Sequence, residues 1–126
     1  MIKTIVAHTT EVDDIELAVS EITKQIDSGE IKAHTVGFVF CHYEFIYSGV
    51  LKAVCNAFPF DTVGTMTTAQ AINGISETFM LTLVVLTSDD ALFSAKLTSP
   101  ITGEFHEIIE NDYKAAEIKE IGRAHV

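Results

Sequence analysis

The segment Thr35-Val36-Gly37-Phe38-Val39-Phe40-Cys41 is a nearly continuous apolar run with an amphipathic stretch on either side. That arrangement limits the chain to few folds. A run this short, bounded by helical patterns, reads as a strand covered on both faces. Upstream, Ile15, Ala18, Val19, Ile22 and Ile26 recur at helical spacing. Asp13 stands as N-cap and Ser28-Gly29 as the stop, which predicts a helix over 13–28. Downstream, Ile46, Val50, Leu51 and Val54 define a second apolar face, predicting a helix over 44–57. Pro59 ends it, because the residue before proline avoids the α region.

The remaining segments extend this pattern. Ile2, Ile5 and Val6 mark a first strand ending near His8, and Phe60 to Gly64 a short third one. Thr65 to Gly74 is small and polar and is expected as a loop. Phe79 to Thr87 forms a fourth strand, Asp89-Asp90 a turn, and Leu92 to Leu97 a fifth strand paired with it as a hairpin. Glu107 to Glu120 is charged and helical in pattern. The order is βαβαβ, then a β-hairpin, then α. An α/β fold follows, with a mixed, mostly parallel sheet flanked by helices.

Charge and cysteine content narrow the partners. The chain has 18 acidic against 8 basic residues and a net charge of −10. Nucleic acids and anionic membrane surfaces both require cationic protein surface, so neither is expected as a partner. The most apolar stretch, Phe79 to Leu86, falls far short of the roughly 20 residues of a membrane span. The opening Met1 to His8 is too short for a signal peptide. Cys41 and Cys55 form no CxxC and no zinc spacing. A reduced, cytoplasmic protein is expected.

Ligands of open α/β sheets sit beyond the C-terminal ends of the parallel strands. Here those ends carry His8-Thr9-Thr10, Cys41-His42-Tyr43 and Thr65-Met66-Thr67-Thr68. The candidate ligand contacts are His8, His42, Tyr43, Thr65, Thr67 and Thr68, with backbone amides after Gly64 assisting. Imidazole, phenol and hydroxyl groups together suit a small polar molecule. Lys52 and Lys96 are the candidate cations for a carboxylate, with the amides at the start of the second helix as the alternative. A thiol nucleophile at Cys41 would need a base in contact, either His8 or His42. Set against that, a buried cysteine usually acts as a small hydrophobe. Metal binding through His8, His42 and Cys41 would require the strands to be neighbours, and no metal or cofactor is expected. No glycine-rich phosphate loop is present.

Taken in order, several segments resemble the N-terminal half of the FIST family of bacterial intracellular sensory domains. They are Ala18-Val19-Ser20-Glu21-Ile22, Val36-Gly37-Phe38-Val39-Phe40, Ser48-Gly49-Val50-Leu51-Lys52-Ala53, Phe60-Asp61-Thr62-Val63-Gly64-Thr65-Met66-Thr67-Thr68 and Leu81-Thr82-Leu83-Val84-Val85-Leu86-Thr87-Ser88-Asp89-Asp90. Thr65 and Met66 depart from the family pattern, as does Ala69, which stands where the family has glycine. The resemblance implies signal transduction without catalysis. It also implies a small ligand such as an amino acid, a following C-terminal domain and an output module. A small Cys-dependent hydrolase or transferase using Cys41 with His8 or His42 is the alternative.

The closing stretch Ile121-Gly122-Arg123-Ala124-His125-Val126 reads as a translated sequencing adapter. Residues 1–120 are therefore expected to be the domain, 121–126 an artefact, and the natural chain to continue past Glu120 as part of a larger protein.

Overall fold

The computed structural model describes residues 1–97, 103 and 105–115. By backbone contacts the chain divides into two compact units, 1–93 and 94–126. The first unit contains β1 (Lys3–Thr9), α1 (Ile15–Lys24), a 3-10 turn (Ser28–Glu30), β2 (His34–Cys41), α2 (Glu44–Tyr47), α3 (Val50–Asn56), β3 (Asp61–Met66), β4 (Gln70–Ile72), β5 (Ile75–Glu77) and β6 (Leu81–Ser88). In the second unit, α4 (Phe105–Ala115) starts two residues before the charged segment expected to be helical and overlaps it to Ala115, and the rest of that segment lies outside the described residues. So does the expected artefact at 121–126.

The main sheet has the order β1-β6-β2-β3. Only β2 and β3 pair in parallel; β6 is antiparallel to both β1 and β2. The α/β class and the mixed sheet agree with the sequence, but the pairing is mostly antiparallel and not mostly parallel. The reason lies in β6. It is the most apolar strand, and it returns against the direction of β1, β2 and β3, so it takes the centre between β1 and β2. Those three strands still share one direction, and their C-terminal ends lie along one edge.

The hairpin is also displaced from its expected place. Residues 91–97 form no strand, whereas β4 and β5 pair antiparallel within and just beyond the stretch expected as loop. Their turn is Asn73-Gly74, with φ of 49° and 80°. Positive φ at both central residues defines the type I′ turn that suits two tightly joined strands. Ala69 is not among the positive-φ residues, so its lack of glycine's freedom costs nothing there.

One face of the sheet carries the core of the first unit. Register places Thr9, Leu81, Cys41 and Met66 in one row, and Ala7, Leu83, Val39 and Gly64 in the next. Ala18, Ile22 and Ile26 from the α1 region, with Phe45, Val50 and Val54, cluster on that face. The other face presents Val6, Val84, Phe38 and Val63 in one row, none of them fully buried. Within residues 1–93, β2 is thus packed under helices on one side only.

Local chemistry accounts for the helices. The N-cap of α1 is Asp14, not Asp13: its carboxylate accepts the Leu17 N–H at 3.0 Å. Starting later and ending at Lys24, α1 buries Ala18 and Ile22 but leaves Ile15 40% exposed. The expected second helix is broken into α2 and α3 by Gly49, whose φ of 89° is left-handed. That break resets the helical phase. Phe45 is fully buried, while Ile46, expected inside, is 46% exposed. Among the described residues, no helix is long and apolar enough to cross a membrane.

Candidate functional site

Where β2 ends, the chain turns through His42 and Tyr43 into α2. The His42 imidazole is buried, and its Nδ1 accepts the Glu44 N–H at 3.2 Å. A neutral imidazole that accepts at Nδ1 carries its proton on Nε2. Its ring meets Phe79 edge-on, with centroids 4.7 Å apart, and lies 4.3 Å from the Tyr43 ring. Tyr43 in turn meets Tyr47, one helical turn on, at 5.6 Å and 79°. Four rings thus line the turn in sequence: Phe79, His42, Tyr43 and Tyr47.

Facing them is the end of β3. The Thr67 N–H donates to the Cys41 carbonyl at 2.9 Å, extending the β2–β3 ladder past Met66. Gln70 fastens the base of the β4–β5 hairpin to the same edge. Its Nε2 donates to the carbonyls of Phe40 at 2.9 Å and Met80 at 2.8 Å. Between these walls lies a cavity of about 440 Å³ lined by His42, Tyr43, Tyr47, Met66, Thr67 and Thr68.

Of the six expected contacts, the structure brings together His42, Tyr43, Thr67 and Thr68 around this cavity. Thr65 lines a neighbouring, more apolar cavity of about 360 Å³ with Cys41, Cys55, Leu51 and Gly64. Gly64 is required there. A Cβ at that position would meet the Val39 carbonyl oxygen at 2.1 Å, so β2 and β3 could not approach as they do.

His8 lies elsewhere, for two reasons. β6 separates β1 from β2, which puts two strand spacings, roughly 10 Å, between their ends. In addition, His8 shares its row with Thr82 and Phe40, whereas Cys41 shares its row with Leu81 and Thr9. Adjacent rows point to opposite faces. His8 and Cys41 are therefore on different sides of the sheet, and the set His8, His42 and Cys41 is not assembled. Among the described residues, no group of three or more His, Cys, Asp or Glu side chains is placed to hold a metal ion.

The thiols are packed groups. Burial, with a smaller contribution from Cys55, pushes the Cys41 thiol up. Burial also raises Cys55, partly offset by its hydrogen bond with Thr62. An activated nucleophile requires the opposite direction, since the thiolate is the reactive form. His42 shows no bond to either sulfur; its Nδ1 is occupied by Glu44.

The donors expected to bind a carboxylate are also occupied. The Glu44 N–H goes to His42, the Phe45 N–H to the His42 carbonyl and the Ile46 N–H to the Tyr43 carbonyl. Lys52 does not line the cavity, and Lys96 belongs to the second unit. Sequence reasoning missed Tyr47, Phe79 and Gln70. Tyr47 was reachable, being four residues after Tyr43 on a predicted helix and therefore on the same face. Compared with known protein families, curated proteins and solved structures, the chain matches none of them.

Proposed function

We propose that this chain is a non-catalytic, cytoplasmic sensory module that binds a small metabolite at the ends of β2 and β3 and passes its occupancy to a partner domain or output module. The observation that carries the reading is the cavity of about 440 Å³ bordered by His42, Tyr43, Thr67 and Thr68. Its volume is in the range of small-molecule sites, and it combines apolar walls with a few hydroxyl and ring groups that fix orientation. The location agrees with the general preference for ligands at strand C-termini. The resemblance of the ordered segments to FIST sensory domains points the same way. Amino acids and related amines are the first ligands to test.

Calorimetry with a panel of metabolites tests the reading, run beside a Thr67→Ala, Thr68→Ala double variant. Binding that weakens in the double variant supports it. Binding of unchanged affinity there removes this loop from the site.

A further inference from the structure

The same cavity carries a charge preference, and the inference rests on the binding role proposed for it. We infer that the ligand is recognised through a cationic ammonium group held against the faces of Tyr43 and Tyr47, and that the site is built for small organic ammonium compounds rather than for anions.

Three observations support this. First, among the described residues lining the cavity there is no Lys or Arg. The backbone donors at the start of α2 do not replace them, because the Glu44, Phe45 and Ile46 N–H groups all bond within the turn, and the Thr67 N–H goes to the Cys41 carbonyl. A carboxylate or phosphate entering here would lose water and find no charge-bearing partner, which is costly. Second, the Tyr43 and Tyr47 rings stand 79° apart with centroids at 5.6 Å, so together they form two walls of a corner. Both residues are exposed, Tyr43 at 46% and Tyr47 at 79%. Ring faces carry negative electrostatic potential and attract ammonium groups within about 6 Å of the centroid. Met66 also lines the cavity and contributes a polarisable thioether. Third, the chain's net charge of −10 raises the local concentration of cations and repels anions.

Thr67 and Thr68 then take the polar remainder of the ligand. The Thr67 hydroxyl donates to the Ala69 carbonyl at 3.1 Å, which leaves its oxygen lone pairs to accept from a ligand hydroxyl or N–H.

The test uses the full chain with choline and with its neutral isostere, in which carbon replaces the quaternary nitrogen. Nuclear magnetic resonance reads both partners: amide shifts at Tyr43, Tyr47, Thr67 and Thr68, and the ligand methyl protons. Choline is expected to move those amides and to show its methyl signals shifted upfield by the ring faces. The isostere should bind at least about tenfold more weakly, given what a ring–ammonium contact contributes. Tyr47→Phe should retain binding and Tyr47→Leu should weaken it about fivefold, because the ring and not the hydroxyl makes the contact. Tyr47 is exposed, so neither variant threatens the fold. An isostere that binds as tightly as choline overturns the ammonium inference while leaving the cavity a binding site. Choline that shifts no cavity amide overturns the inference as well. The metabolite panel and the threonine double variant then decide the binding role separately.

Discussion

The ends of β1 and of β2 and β3 lie on one edge of the same sheet and are similarly polar in sequence, yet they do different things. At the β1 end the Thr9 hydroxyl and the His8 backbone are engaged by Glu21 of α1 and by Gln25, its C-cap. The Thr9 hydroxyl donates to Glu21 Oε2 at 2.5 Å and accepts the Glu11 N–H at 3.0 Å. Gln25 brackets His8, accepting its N–H at 3.0 Å and donating to its carbonyl at 2.7 Å. At the β2 and β3 ends the Glu44, Phe45, Ile46 and Thr67 N–H groups are bonded, while Tyr43, Tyr47 and Met66 remain exposed around a cavity. Polar residues at a strand end therefore serve either as mortar or as the border of an open cavity. Which one depends on whether a helix is close enough to use them.

The comparison can be broken most sharply at its anchor. Phe45 is fully buried and holds α2 against the sheet. Phe45→Ala is expected to cost about 3–5 kcal/mol in denaturant unfolding. Ile46→Ala, one residue along, should cost less than about 1 kcal/mol, as exposed positions do. Equal losses would mean that α2 is phased as the sequence alone predicts. Next in size is the β1 end. Thr9→Val leaves the Glu21 carboxylate without its donor and should cost about 1–3 kcal/mol. Thr67→Ala, its counterpart at the β3 end, should stay within about 0.5 kcal/mol. If the two threonines cost the same, the distinction between mortar and cavity border fails.

A third test concerns the thiols beneath the site. Cys41 is 2% exposed and its thiol is raised by burial, so a disulfide reagent at neutral pH should label it only at the rate of unfolding. Fast labelling of Cys41 in the native protein would revive the nucleophile. The smallest effect lies far from both strand ends. The N-terminal ammonium, 2.8 Å away, and the Ser88 hydroxyl hold the Asp90 carboxyl down at about 2. A depressed carboxyl stabilises above its ordinary range, and that contribution fades as pH falls from about 4 towards 2. Asp90→Asn should flatten this part of the acid-unfolding profile slightly, as an exposed, screened pair would.

Much of this was legible in the residues, and the failures have physical causes. Periodicity located α1, because burial on one face imposes it, and continuous apolar runs located β2 and β6. It could not reveal that β6 runs between β1 and β2, since strand order is a matter of long-range pairing. The same gap misplaced His8: the sequence gives direction and end, but not how many strands intervene. The hairpin was readable and was overlooked, with Asn73-Gly74 standing between Ile72 and Ile75. Phe45 could not be chosen over Ile46 without knowing that Gly49 is left-handed and restarts the helix. That His42, Tyr43, Thr67 and Thr68 border one cavity followed from strand-end logic, whereas Phe79 meets His42 only through the return of the chain into β6.

The central position of β6 also governs when the sheet can exist at all. Among the described residues β1 pairs only with Leu81–Ser88, so during synthesis the first strand waits until most of the unit has emerged. Until then, of the main sheet only the β2–β3 pair can form. Contacts of such long sequence separation slow folding, because loop closure precedes any gain from pairing. A ribosome-bound chain ending before Leu81 should therefore be protease-sensitive throughout β1 and α1, and one extended beyond Ser88 should become resistant in a single step.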